Sequence, residues 1–147
     1  MPKIENCSFH DVQSGNHRIS PINSILIQIT DPPNPVYPTP HEDVFAEKHQ
    51  FAFLDADKPT RYFPEEQLIS VEQSQQIVDI LKNALDSDQD VLVHCVVGVC
   101  RSGAVVEVAE MMGFEECFRY RLSNVRVKRM LMEAAGLLPV NEKDNTK

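Results

Sequence analysis

Ten consecutive residues bring a nucleophile and an anion-binding group close together: His94-Cys95-Val96-Val97-Gly98-Val99-Cys100-Arg101-Ser102-Gly103. Five residues separate Cys95 from Arg101; the stretch is entered from the apolar run Val91 to Val93 and left through a segment patterned as helix. A turn of this kind wraps backbone N–H groups around a small concavity, and such a concavity binds an oxyanion. The nested amides, the positive end of the following helix and the Arg101 guanidinium all favour negative charge. They therefore favour the thiolate of Cys95, which is the nucleophilic form.

The stretch resembles the signature of the cysteine-based protein tyrosine and dual-specificity phosphatases: a His-Cys pair, five residues, Arg, then Ser or Thr. Cys95, Gly98, Arg101 and Ser102 fall where that family has its nucleophile, its tight-turn glycine, its phosphate-clamping arginine and the hydroxyl that assists the leaving thiolate. A bare Cys-to-Arg spacing arises often by chance. The preceding His94, the glycine after Val97, the following Ser102 and the strand-to-helix setting make this match specific.

The resemblance, which is to the small single-domain members such as those of bacteria and phages, implies hydrolysis of phosphate monoesters through a cysteinyl-phosphate, with no cofactor and no metal. The substrate would be a phosphorylated protein, on tyrosine, serine or threonine, or a small phosphoester. Backbone N–H groups of Val96, Val97, Gly98, Val99 and Cys100 would hold the phosphoryl oxygens with Arg101, whose planar fork a lysine cannot replace. His94 could hydrogen-bond the loop backbone, and reads first as a satisfied structural histidine with no part in proton transfer. The loop carries no lysine of the kind found in phosphoinositide-directed relatives, which disfavours a lipid headgroup.

Phosphate-ester hydrolysis also needs a proton for the leaving alcohol, and the family supplies it from an Asp after a strand upstream of the cysteine. Asp55, at the end of Gln50-Phe51-Ala52-Phe53-Leu54, is the first candidate and Asp57 the second. The separation of 40 residues from Asp55 to Cys95 is long for the family, with Pro59 to Pro64 resembling an insertion. Glu65 or Glu66 would be the fallback. Cys100, immediately before the arginine, is either a small packing residue or a thiol that could trap oxidised Cys95 as a disulfide. The alternatives are a non-catalytic phospho-residue binding module that keeps the pocket, and a sulfur- or arsenate-transfer enzyme on a similar loop; the Arg-Ser ending disfavours the latter.

These residues need a scaffold, and hydrophobic periodicity outlines it. Ser24 to Thr30 is a β-branched run stopped by Asp31-Pro32-Pro33, read as a buried strand beside the catalytic one. Residues 34–40 form a stiff proline-rich connection, and His41 to Lys48 could be a short helix. Ser70-Val71-Glu72-Gln73 is a capping box opening a helix to about Leu85. Val91 to Val93 is short enough to be a parallel strand covered on both faces. Ala104, Val105, Val108, Ala109 and Met112 lie at helical spacing up to Gly113, with Met111 and Met112 as core filler. Ser123 or Asn124 caps a last helix ended by Gly136, and residues 141–147 are a tail.

Ile4, Phe9 and Val12 are read as inward residues of one or two short strands. Cys7, His10 and His17 have no second ligand cluster at a finger-like spacing, so no metal site is assigned. The expected architecture is α/β, a central, mostly parallel sheet with helices on both faces, as the phosphatase resemblance also implies.

A chain of 147 residues fits one domain with its own core. A net charge of −8 argues against nucleic acid as a partner, because a phosphate backbone needs a basic face. Four cysteines without a CxxC pair suit a reducing, cytoplasmic setting. No apolar run reaches membrane-spanning length and no signal peptide opens the chain, so no membrane is expected.

Overall fold

The computed structural model of the protein describes residues 1–33 and 44–138. Strands β1 (Ile4–Ser8), β2 (Ile25–Thr30), β3 (Glu47–Ala52) and β4 (Val91–Cys95) form one sheet in the order β1-β4-β2-β3, and every neighbouring pair is parallel. β4 therefore lies inside the sheet, and Val91, Leu92 and Val93 are sealed from solvent. The chain leaves β1 on one side of β4 and enters β2 on the other. In open parallel sheets the crevice at such a switch point, outside the carboxyl ends of the strands, is where ligands bind. β4 ends there, at Cys95.

Alternation along the strands divides the interior in two. Ile25, Ile27, Ile29, Val91, Val93 and Cys95 pack with helices α2 (Val71–Ser87), α3 (Arg101–Met112) and α4 (Val125–Ala134). Leu26, Leu92 and Cys7 face the other way and meet Val12 of the six-residue helix α1 (Phe9–Ser14), Ile19 and Phe45. Helices thus flank both faces, but unevenly.

The local signals mostly act as read. Ser70 Oγ accepts from the Gln73 N–H at 3.0 Å, and Gln73 Oε1 accepts from the Ser70 N–H at 3.0 Å, so two orphan donors of α2 are satisfied at once. α2 then continues to Ser87, slightly beyond Leu85. α3 stops at Gly113, whose φ of 132° suits glycine. At α4 the cap is Asn124, whose Oδ1 accepts from the Val127 N–H at 2.9 Å.

Three expectations are corrected. Phe9 and Val12 lie on α1 rather than on a strand, because Ser8 and Asp11 form a second capping box that turns the chain out of β1. The strand expected over residues 50–54 is Glu47–Ala52, so Glu47 and Lys48 are strand and not helix. It is the outer strand beyond β2, and a sheet edge tolerates a polar, charged sequence that an interior strand would not. Met111 is exposed, and only Met112 packs against the core. Residues 34–40, 41–43 of the suggested short helix, and the tail lie outside the described residues.

Candidate active site

The loop from Cys95 to Arg101 is held by its carbonyl groups. Val96 O accepts from the Phe9 N–H (3.4 Å), Val99 O from Leu122 N–H (3.1 Å), and Cys100 O from Asn124 N–H (3.1 Å) and Ala104 N–H (3.0 Å). Gly98 O accepts from Asn6 Nδ2 at 2.8 Å. Those four carbonyls are engaged while N–H groups of the loop are left over: among the described residues, those of Val97, Val99 and Cys100 have no hydrogen-bond acceptor. The Gly98 N–H donates to Cys95 Sγ at 3.2 Å, and Ser102 Oγ lies 3.2 Å from the same sulfur. No side chain caps α3, whose N-terminus faces this loop. Unpaired amides at a helix start are groups that can bind an anion.

Gly98 makes the tight turn possible. Its φ is 87°, and a Cβ there would sit 2.3 Å from Cys7 C and Ser8 N, so any side chain would push the loop off β1. Asn6, fully buried on β1, completes the support: Nδ2 also donates to Tyr120 O at 3.1 Å, and Oδ1 accepts from the Cys117 thiol at 3.7 Å.

Arg101 opens α3 and is almost entirely buried. Its Nη1 donates to Asp31 Oδ1 at 2.6 Å and to Phe53 O at 2.8 Å. Nε is buried without a partner, and Nη2 has none among the described residues. One edge of the guanidinium is therefore held by the protein and the other has no partner among the described residues, as a bidentate grip on an oxyanion would need.

Asp55 stands beside the loop. Its Oδ1 accepts from Asn124 Nδ2 at 2.7 Å. The half-exposed Cys100 thiol also hydrogen-bonds it, and burial, followed by the Asp55 charge and hydrogen bond, pushes the Cys100 pKa up. Asp55 itself is exposed to solvent. Asp57 is exposed too, and no hydrogen bond or ion pair joins it to the loop. Glu65 pairs instead with Arg126. Cys95 and Cys100 are both free thiols. His94 is buried with its ring 5.7 Å from that of Phe9, a packing position.

Sequence reasoning missed three residues of this arrangement. Asp31 was read only as a strand stop, although an acid at the carboxyl end of the strand beside β4 has to lie near Cys95. Asn124 was read only as a cap, yet its side-chain oxygen caps α4, its amide holds Asp55 and its backbone N–H holds Cys100. Asn6 gave no signal, because an asparagine on a short strand carries no periodicity.

The sequence matches no protein-family profile and no curated protein. Solved structures that share the fold include the following two. A human tyrosine phosphatase-like serine/threonine/tyrosine-interacting protein is 17% identical, with a TM-score of 0.60, over 93% of each chain. OH1 from the Orf virus, a tyrosine phosphatase described as having triple substrate specificity, is 18% identical with a TM-score of 0.52, over 90% of this chain and 82% of the viral one. The chain thus has the tyrosine and dual-specificity phosphatase fold, a parallel four-stranded sheet between helices.

Proposed function

We propose that the protein is a cysteine-dependent phosphatase acting on phosphate monoesters, with phosphotyrosine, phosphoserine or phosphothreonine of proteins as its substrate class. The observation that carries this reading is the loop from Cys95 to Arg101, in which the carbonyls of Val96, Gly98, Val99 and Cys100 are engaged, N–H groups are left unpaired, and Gly98 N–H and Ser102 Oγ meet Cys95 Sγ, next to an arginine that keeps one edge without partners. Such a shell fits a tetrahedral dianion with a nucleophile beneath it.

In this mechanism the Cys95 thiolate attacks phosphorus in line and the P–O bond to the leaving group breaks. Asp55 gives its proton to the departing oxygen. The loop amides and Arg101 hold the equatorial oxygens, where charge is spread in the transition state. Asp55, now a carboxylate, takes a proton from water as the water attacks the cysteinyl-phosphate. The S–P bond breaks, phosphate leaves, and the Ser102 hydroxyl stabilises the departing thiolate. The balance needs only substrate and water.

A binding module that holds phospho-residues without turnover is the second reading. One structural neighbour, itself described as phosphatase-like and interacting, favours it, as does the engagement of Asp55 with Asn124 and Cys100. Hydrolysis of p-nitrophenyl phosphate and of phosphopeptides by the wild type and by Cys95→Ser separates the two. The wild type should turn over, and Cys95→Ser should keep phosphopeptide affinity with no turnover at all. Hydrolysis by Cys95→Ser would remove the covalent mechanism; phosphopeptide binding by a wild type that never turns over would establish the module.

A further inference from the structure

We propose that Asp31 is a positioning residue for Arg101, holding the guanidinium so that its Nε–Nη2 edge meets the phosphoryl group. The inference rests on the phosphatase reading above and assigns a role within that site. Nη1 has two protons, and both are used: one goes to Asp31 Oδ1 at 2.6 Å, the other to Phe53 O at 2.8 Å. These acceptors come from the carboxyl ends of two neighbouring strands, β2 and β3, which are in parallel register with Thr30 opposite Ala52. Two fixed acceptors on one nitrogen set the rotation of the planar group, and a site built on strand ends keeps such geometry better than one built on mobile loops. The remaining edge, with Nε buried and unpartnered, is presented as a fork.

Charge makes the same case. The Arg101 side chain is 5% exposed, whereas that of Asp31 is 47% exposed. A cation so buried needs a countercharge while the cradle is empty, and Asp31 provides it on the nitrogen that the phosphate does not need. Substrate can then bind without displacing the carboxylate.

The test measures inorganic tungstate binding by calorimetry and turnover of p-nitrophenyl phosphate for Asp31→Asn and Asp31→Ala, each alone and combined with Arg101→Ala. Asp31→Asn should weaken tungstate binding about tenfold, and catalytic efficiency should fall roughly 10–100-fold, the order expected for a small misplacement of a catalytic group. In the Arg101→Ala background the same change should have no further effect, because both substitutions then act through one group. Equal losses in both backgrounds would overturn the proposal. Tighter or unchanged tungstate binding by Asp31→Asn would also overturn it, since the carboxylate would then compete with the anion or be idle. Thermal melts identify a variant that has not folded, and the near-isosteric Asn variant decides the matter if the Ala variant fails. A wild type that binds tungstate but hydrolyses nothing ends the phosphatase reading and leaves the binding cycle to judge Asp31; a wild type that binds no tungstate ends both.

Discussion

Two arginines are held by carboxylates in this molecule, and they are held differently. Arg119 gives Nη1 to Glu5, and Nη2 to Asp11 Oδ2 at 2.9 Å and to Asn16 O at 3.1 Å. It fastens β1 and α1 to the segment after α3, and both of its terminal nitrogens are committed to the protein. Arg101 commits only Nη1. Arg119 is satisfied by the fold, whereas Arg101 is anchored on one side and left without partners on the other, as the proposed role requires. An unpaired Nε is not enough by itself, because Arg126 has one as well. What separates Arg101 is that it closes a loop whose own N–H groups are unpaired as well.

The cysteines repeat the contrast. Cys7, on β1, is pushed strongly towards the neutral thiol by burial, which outweighs the lowering effect of Arg119. It packs with Leu26 and Leu92 in the smaller core. Cys95 ends the adjacent strand, where the Gly98 N–H donates to its sulfur and the Ser102 hydroxyl lies within hydrogen-bond distance of it.

The two arginines should answer substitution in opposite ways, Arg101 in turnover and Arg119 in stability. Arg101→Lys should lower catalytic efficiency by about 10³–10⁵-fold, the range seen when an arginine stabilising a transferring phosphoryl group is lost, while a urea melt shows a folded protein. An unchanged efficiency would take Arg101 out of the site. Asp55→Asn comes next. It should slow phosphoserine or an alkyl phosphate by ~10²–10⁴-fold but p-nitrophenyl phosphate far less, since a good leaving group needs little protonation. Asp57→Asn should do much less to either substrate, and the reverse pattern would move the acid to Asp57.

On the structural side, Arg119→Ala should cost about 2–3 kcal/mol in a urea melt, less than the ~3–5 of a sealed pair because Arg119 is partly exposed. Its kcat should stay near wild type; a large loss of turnover with stability intact would make Arg119 functional. The smallest effect is pH-dependent. At Asp11, burial raises the pKa, but hydrogen bonds from Ser8 and Asn16 and the Arg119 charge outweigh it and hold the carboxyl below its ordinary value. A carboxyl with a lowered folded pKa contributes stability above its unfolded value near ~3.9, and that contribution is lost as pH falls through the folded pKa. The stability difference between wild type and Asp11→Asn should therefore be constant above about pH 5 and shrink below about pH 4. A difference unchanged down to pH 3 would show that Asp11 contributes through packing alone.

Much of this was legible in the chain because it is local. The capping box at Ser70, the stop at Gly113, the apolar runs of β2 and β4 and the Cys95-to-Arg101 loop each depend on residues within a turn or two of one another, and their chemistry survives without knowledge of the rest. The second capping box, Ser8 with Asp11, was equally local and was missed because the apolar spacing of Phe9 and Val12 was read as strand. β3 was misplaced because its Glu47-Lys48-His49-Gln50 start has no period-two signal and owes its strand state to pairing with β2.

The sequence by its own local pattern carries the groups the proposed reaction would use, a thiol, an arginine and a hydroxyl at fixed spacing, with glycine where the turn has a positive φ. Only the tertiary structure decided which partners complete them. The loop carbonyls are engaged by Asn6, Phe9, Leu122 and Asn124, Arg101 is oriented by Asp31 and Phe53, and Asp55 is held by Asn124. Those contacts join positions far apart in the chain. They exist because parallel strands bring their carboxyl ends to one edge of the sheet, and no local pattern encodes which distant side chain arrives there.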